Sequence, residues 1–91
     1  MRHEIQIDGH NIYKIEDFFS IVHEIFSFPT YISKDLDGFL DGLTTHVDPN
    51  LTIYWLNHET CKKRLGNDFE RIIEVLDRVK SYHKGFNYLL N

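Results

Sequence analysis

Apolar residues change their spacing along this chain, and that change restricts the fold more than any other feature. Ile5 and Ile7 alternate with polar neighbours and lead into Asp8-Gly9, so residues 3–8, from His3 on, are predicted to form a short strand closed by a turn. From Ile15 the period becomes three and four. Ile15, Phe18, Phe19, Val22, Ile25 and Phe26 form the stripe of an amphipathic helix. Glu16 and Asp17 fall in its first turn, where carboxylates suit the helix dipole, and Pro29 is expected to end it.

A second helical stripe follows at Leu36, Phe39, Leu40 and Leu43. The stripe assigns Phe39 to the core, while its place beside Asp37 and Asp41 also makes it a candidate contact residue. Asp37 and Asp41 share a neighbouring face, one turn apart. Gly38 and Gly42 lie inside this helix and weaken it by about 1 kcal/mol each relative to Ala, so burial of the leucine stripe must support it. Asp48-Pro49-Asn50 reads as a turn, and residues 51–56 are aromatic and β-branched enough for a buried strand. Asn57 is expected to cap a short helix closed by Gly66. Asn67 is expected to cap the longest helix, with core stripe Phe69, Ile72, Ile73, Leu76 and Val79 and with Gly85 near its C-terminus. Residues 86–90 read as a last strand.

Strands separated by helical segments imply βαβ units. The expected fold class is α/β, with a small three-stranded parallel sheet and right-handed crossovers that put the helices mainly on one face. Ninety-one residues, 42% of them hydrophobic, suffice for one core, so residues 1–91 are expected to make a single domain. No run approaches the roughly 18 apolar residues of a membrane span, which argues against a membrane partner. Met1-Arg2-His3-Glu4 lacks the layout of a secretory signal, and one Cys cannot form an internal disulfide. A cytoplasmic location is expected.

The net charge of −4 disfavours direct binding of nucleic acid. It is also unevenly placed. Residues 1–60 hold ten acids against three bases, giving −7, and residues 61–91 hold seven bases against four acids, giving +3. Lys62-Lys63-Arg64 reads as a solvated helix face able to orient a partner.

Several constellations could carry chemistry, and none has the spacing it needs. The six histidines, His3, His10, His23, His46, His58 and His83, include no close ligand pair and read as solvated surface residues, so neither a metal nor another cofactor is expected. His58 and Cys61 lie three apart, but nothing supplies an oxyanion site for a thiol nucleophile. A calcium loop starting at Ser33 has serine for the first carboxylate and Thr44 where the bidentate glutamate belongs. Asp35, Asp37 and Asp41 as phosphoryl-transfer residues would sit at a strand end in a larger domain, not at a helix entry. No catalytic residues are expected.

Residues 28–44 resemble the signature of the barstar family of intracellular ribonuclease inhibitors. The matching positions are Pro29, Tyr31, Leu36-Asp37, Asp41 and Leu43-Thr44. The resemblance extends to Ile7-Asp8-Gly9, Asp17, the strand ending in Trp55 and the long helix from Asn67. Ile32 stands for the family's second tyrosine, Ser33 for its glycine and Asp35 for its asparagine. Leu40 and His46 replace two tryptophans, and Arg78, beside Asp77, takes the place of an acidic contact.

The resemblance implies a barstar-like fold and an inhibitor that performs no chemistry. It implies a partner-binding set of Tyr31, Lys34, Asp35, Asp37, Gly38, Asp41, Thr44, His46, Asp77 and Arg78, with acidic helix residues mimicking RNA phosphate. The implied partner is a cognate ribonuclease or RNase-type toxin with a basic active site, bound one to one by a protein that is monomeric when free. Two rivals remain at this level: a barstar-like interaction module whose partner is not a ribonuclease, and a small hydrolase using Asp35, Asp37 and Asp41.

Overall fold

The structure is a computed structural model, and it describes residues 4–91. Strand β1 (Glu4–Asp8) is followed by a single 3-10 turn (Gly9–Asn11), then by helices α1 (Ile15–Phe26) and α2 (Leu36–Thr45). Strand β2 (Thr52–Leu56) leads into α3 (His58–Leu65) and α4 (Asn67–Tyr82), and β3 (Asn87–Leu90) closes the sheet. His3, expected to open the first strand, lies outside the described residues.

The three strands are parallel, in the order β1-β2-β3. Register places Ile5 and Ile7 opposite Ile53 and Trp55, with Tyr88 and Leu90 completing the same face. Because side chains alternate along a strand, Gln6, Tyr54 and Leu89 belong to the other face. Trp55 shows why the helices gather on one side. Its ring stacks on Phe18 of α1 at 5.2 Å and meets Phe69 of α4 at 5.1 Å, while Phe39 of α2 packs edge-on to Phe18 at 5.1 Å. Helices α1 and α4 thus meet on one residue of the central strand, and α2 joins them through Phe18. Phe39 is 2% exposed, so the inner face of α2 is core.

Local chemistry alters four of the expected boundaries. Helix α1 stops at Phe26, ahead of Pro29, because Ser27 turns left-handed (φ 52°) and Phe28 N–H returns to the His23 carbonyl. Asn57 also adopts a left-handed conformation and does not cap α3 with its side chain. Its amide instead donates to Asp8 at 2.9 Å, joining the ends of β1 and β2. Gly66, at φ 59°, breaks the chain between α3 and α4 and occupies the cap position expected of Asn67. At the far end α4 closes on His83, and Gly85 instead gives the space in which Asn50 packs.

Candidate functional site

Helix α2 and the loop before it form the acidic end of the molecule. Asp35 caps the helix: its carboxylate accepts from Gly38 N–H at 2.7 Å and from the Ser33 hydroxyl at 2.8 Å. Those two bonds, Gly38 first, hold its carboxyl below the usual carboxylate range. Asp35 is therefore a structural acid tied into the helix start, unlike Asp37 and Asp41. Both of these are exposed, and no ion pair or hydrogen bond engages either carboxylate among the described residues. Asp37 in addition lies in the first turn, where the helix dipole favours its charge.

The two glycines are sites of close approach. A Cβ on Gly38 would be driven into the backbone of Ser33, and one on Gly42 into the Phe28 ring. Glycine at both positions lets the loop pack tightly against α2, and this contact offsets their weak helix propensity.

Three histidines make contacts on the same segment. His23 and His83 are partly buried, contrary to the expectation of solvated surface residues, while His46 is exposed as expected. His23 of α1 is half-buried and donates from Nε2 to the Ile32 carbonyl at 2.7 Å. His83 donates from Nε2 to the Thr44 carbonyl at 3.2 Å, satisfying an acceptor at the C-terminal end of α2. His46, at the cap of α2, lies 3.3 Å from the Tyr31 hydroxyl, their rings edge to face. His58, too, is engaged: its Nδ1 donates to the Asn91 carbonyl at 2.9 Å. No group of three or more His, Cys, Asp or Glu residues among the described residues could hold a metal ion.

The ten residues named from sequence do not all meet. Tyr31 is 74% exposed and, with His46, forms an aromatic edge at the C-terminal end of α2. Lys34 is exposed in the loop leading to the helix. Thr44 turns its hydroxyl back onto the Leu40 carbonyl, so its side chain serves the helix. On α4, Arg78 faces α2 across a groove that Asp37 also lines. Asp77 points elsewhere, accepting from the Tyr88 hydroxyl at 2.6 Å. Burial first, and then Asp77, push that phenol up to about 12. Sequence reasoning did not find the bracing role of His23 and His83, whose carbonyl partners are distant in the chain. Arg71, Glu74 and Val75 were also missed, although their three-four-seven spacing with Arg78 was there to be read.

Cys61 is wholly buried, and burial pushes its thiol up to about 11. Such a thiol is a packing group at neutral pH.

A three-stranded parallel sheet, with a braced helix that exposes Asp37 and Asp41, defines a small α/β domain with an acidic helix face. The family model described as Barstar (barnase inhibitor) matches residues 2–90, and the chain belongs to this family. A Bacillus subtilis (strain 168) protein named "Putative ribonuclease inhibitor YrdF" is 31% identical over 77 residues, which cover 85% of each chain.

Proposed function

We propose that this protein inhibits a ribonuclease by covering its active site with the exposed face of α2. The observation that carries the reading is the pair of exposed carboxylates, Asp37 and Asp41, on a helix braced from both ends. A nuclease must hold RNA phosphate with cationic groups, and carboxylates on a rigid helix can occupy those positions through charge-assisted hydrogen bonds. Asp41 is the principal anchor and Asp37 the second. Tyr31 and His46 supply an aromatic edge, and Lys34 lies at the margin. Asp35, Gly38 and Thr44 shape the face, while Asp77 belongs to the α4–β3 contact. The acidic half steers the encounter, so association slows as salt rises.

In this reading the complex is one to one, the free protein is a monomer, and the role is immunity: neutralising a cognate ribonuclease or RNase toxin in the cytoplasm. No helix of the described residues is long and apolar enough to cross a membrane. The family and the relative's name support the inhibitor reading. The test is RNA cleavage by a panel of small ribonucleases, barnase included, with and without the protein. Stoichiometric protection of RNA against at least one enzyme is expected. If no enzyme is slowed by a tenfold excess, the ribonuclease reading is wrong.

A further inference from the structure

A groove of about 200 Å³ runs between α2 and α4. Arg71, Glu74, Val75 and Arg78 form one wall, and Leu36, Asp37 and Leu40 the other. Its base is apolar: Val75 is 7% exposed, and Leu36 and Leu40 are half-buried against the core. The two arginines on its rim are not equivalent. Arg71 is paired with Asp68 at 3.2 Å. Arg78 is exposed and has no carboxylate within ion-pair distance among the described residues, although Glu74 lies one turn back on the same face.

We propose that this groove receives an acidic side chain of the nuclease, whose carboxylate pairs with Arg78 while its stem lies on Leu40 and Val75. The inference rests on the ribonuclease-inhibitor reading above. A partner seated on Asp37 and Asp41 also covers Arg78, since both helices line one groove. Asp37 and Glu74 also line the groove, so the occupant's charge is set at Arg78 itself. A cation against that guanidinium would be repelled, and an apolar surface would strip its water without replacing it. A carboxylate satisfies the guanidinium, and can do so through two parallel bonds. Arg78 therefore sets specificity. It admits nucleases with a carboxylate bordering the cationic phosphate site and rejects those with a lysine or arginine there.

The experiment measures Kd for the panel ribonuclease that the protein inhibits most tightly, using wild type, Arg78→Ala, Arg78→Glu and Asp41→Ala. Arg78→Glu is expected to bind at least about 10-fold more weakly, with Arg78→Ala between it and wild type. Changing one acidic nuclease residue to lysine should restore binding to Arg78→Glu. Equal or tighter binding by Arg78→Glu overturns the inference. Asp41→Ala separates the two claims. If it binds weakly while Arg78→Glu is unchanged, only the role of Arg78 falls. If both bind like wild type, the α2 face is not the interface, and a panel without any inhibited enzyme overturns the inhibitor reading itself.

Discussion

The acidic segment around α2 and the basic segment of α3 and α4 use their charges in opposite ways. In the basic segment most of the cations with visible partners serve the fold. Arg64 donates to the His10 and Ile12 carbonyls at 2.9 and 3.1 Å and lies 4.0 Å from the centre of the Tyr13 ring. Arg71 pairs with Asp68, and Lys80 lies over Tyr88. On α2 and at its start, Asp35 is committed to the fold, whereas Asp37 and Asp41 stay exposed. Net charge therefore describes neither surface. What matters is which charges the fold leaves without an internal partner, and Arg78, lining one groove with Asp37, is the cation on which the proposed specificity turns.

Mutations that strike one side of this comparison should leave the other intact. The largest effect belongs to the inner face of α2. Phe39→Ala is expected to cost about 3–5 kcal/mol of stability, because it empties a packed aromatic contact with Phe18. Denaturant unfolding would read this as a lower midpoint. Gly38→Ala is expected to cost about 1–3 kcal/mol, the range of overpacking, since the clash with Ser33 outweighs the gain in helix propensity. It should also weaken inhibition by displacing the loop that carries Tyr31.

Arg64→Ala tests the other side. Loss of two hydrogen bonds to carbonyls should cost about 1–2 kcal/mol in the same unfolding assay. Inhibition by the folded fraction should not change. A variant that keeps its stability but loses inhibition would place the basic segment in the interface.

The smallest effect is one of pH. The Asp35 carboxyl is held below its ordinary value in the folded chain, so the native state releases this proton more readily than the unfolded one. Its contribution is complete above about pH 4 and is lost as pH falls through the folded value. Asp8 adds to the same window, held down first by the Asn57 amide and then by His10 N–H. Asp35→Asn should flatten the acid limb of stability against pH while leaving the neutral limb parallel to wild type.

Much of the fold was legible because strand and helix periods depend only on local spacing. The stripes on α1 and α4 were visible in sequence, as was the buried strand containing Trp55, although Ile25, counted in the α1 stripe, is 39% exposed. The helix ends were less so. Ser27 and Asn57 take left-handed conformations and Gly66 a positive φ, all at chain reversals, and Asn57 was diverted from capping by Asp8, 49 residues away. At the candidate site, the spacing of Asp37 and Asp41 announced a shared helix face, but not that Asp35 would be withdrawn into a cap. The bonds from His23 and His83 to backbone carbonyls depend on tertiary approach, which neither residue type nor spacing records.

The central claim is that the exposed acids of α2, and not the basic run of α3, make the interface. The direct measurement is titration of an inhibited ribonuclease with wild type, Asp41→Ala and Lys62→Ala/Lys63→Ala, each verified as folded. Losing one charge-assisted contact is worth about 1.5–3 kcal/mol, so Asp41→Ala should inhibit roughly 10- to 150-fold more weakly. The double lysine variant should match wild type within about 0.5 kcal/mol. Unchanged inhibition by Asp41→Ala, or a loss confined to the lysine variant, would contradict the account.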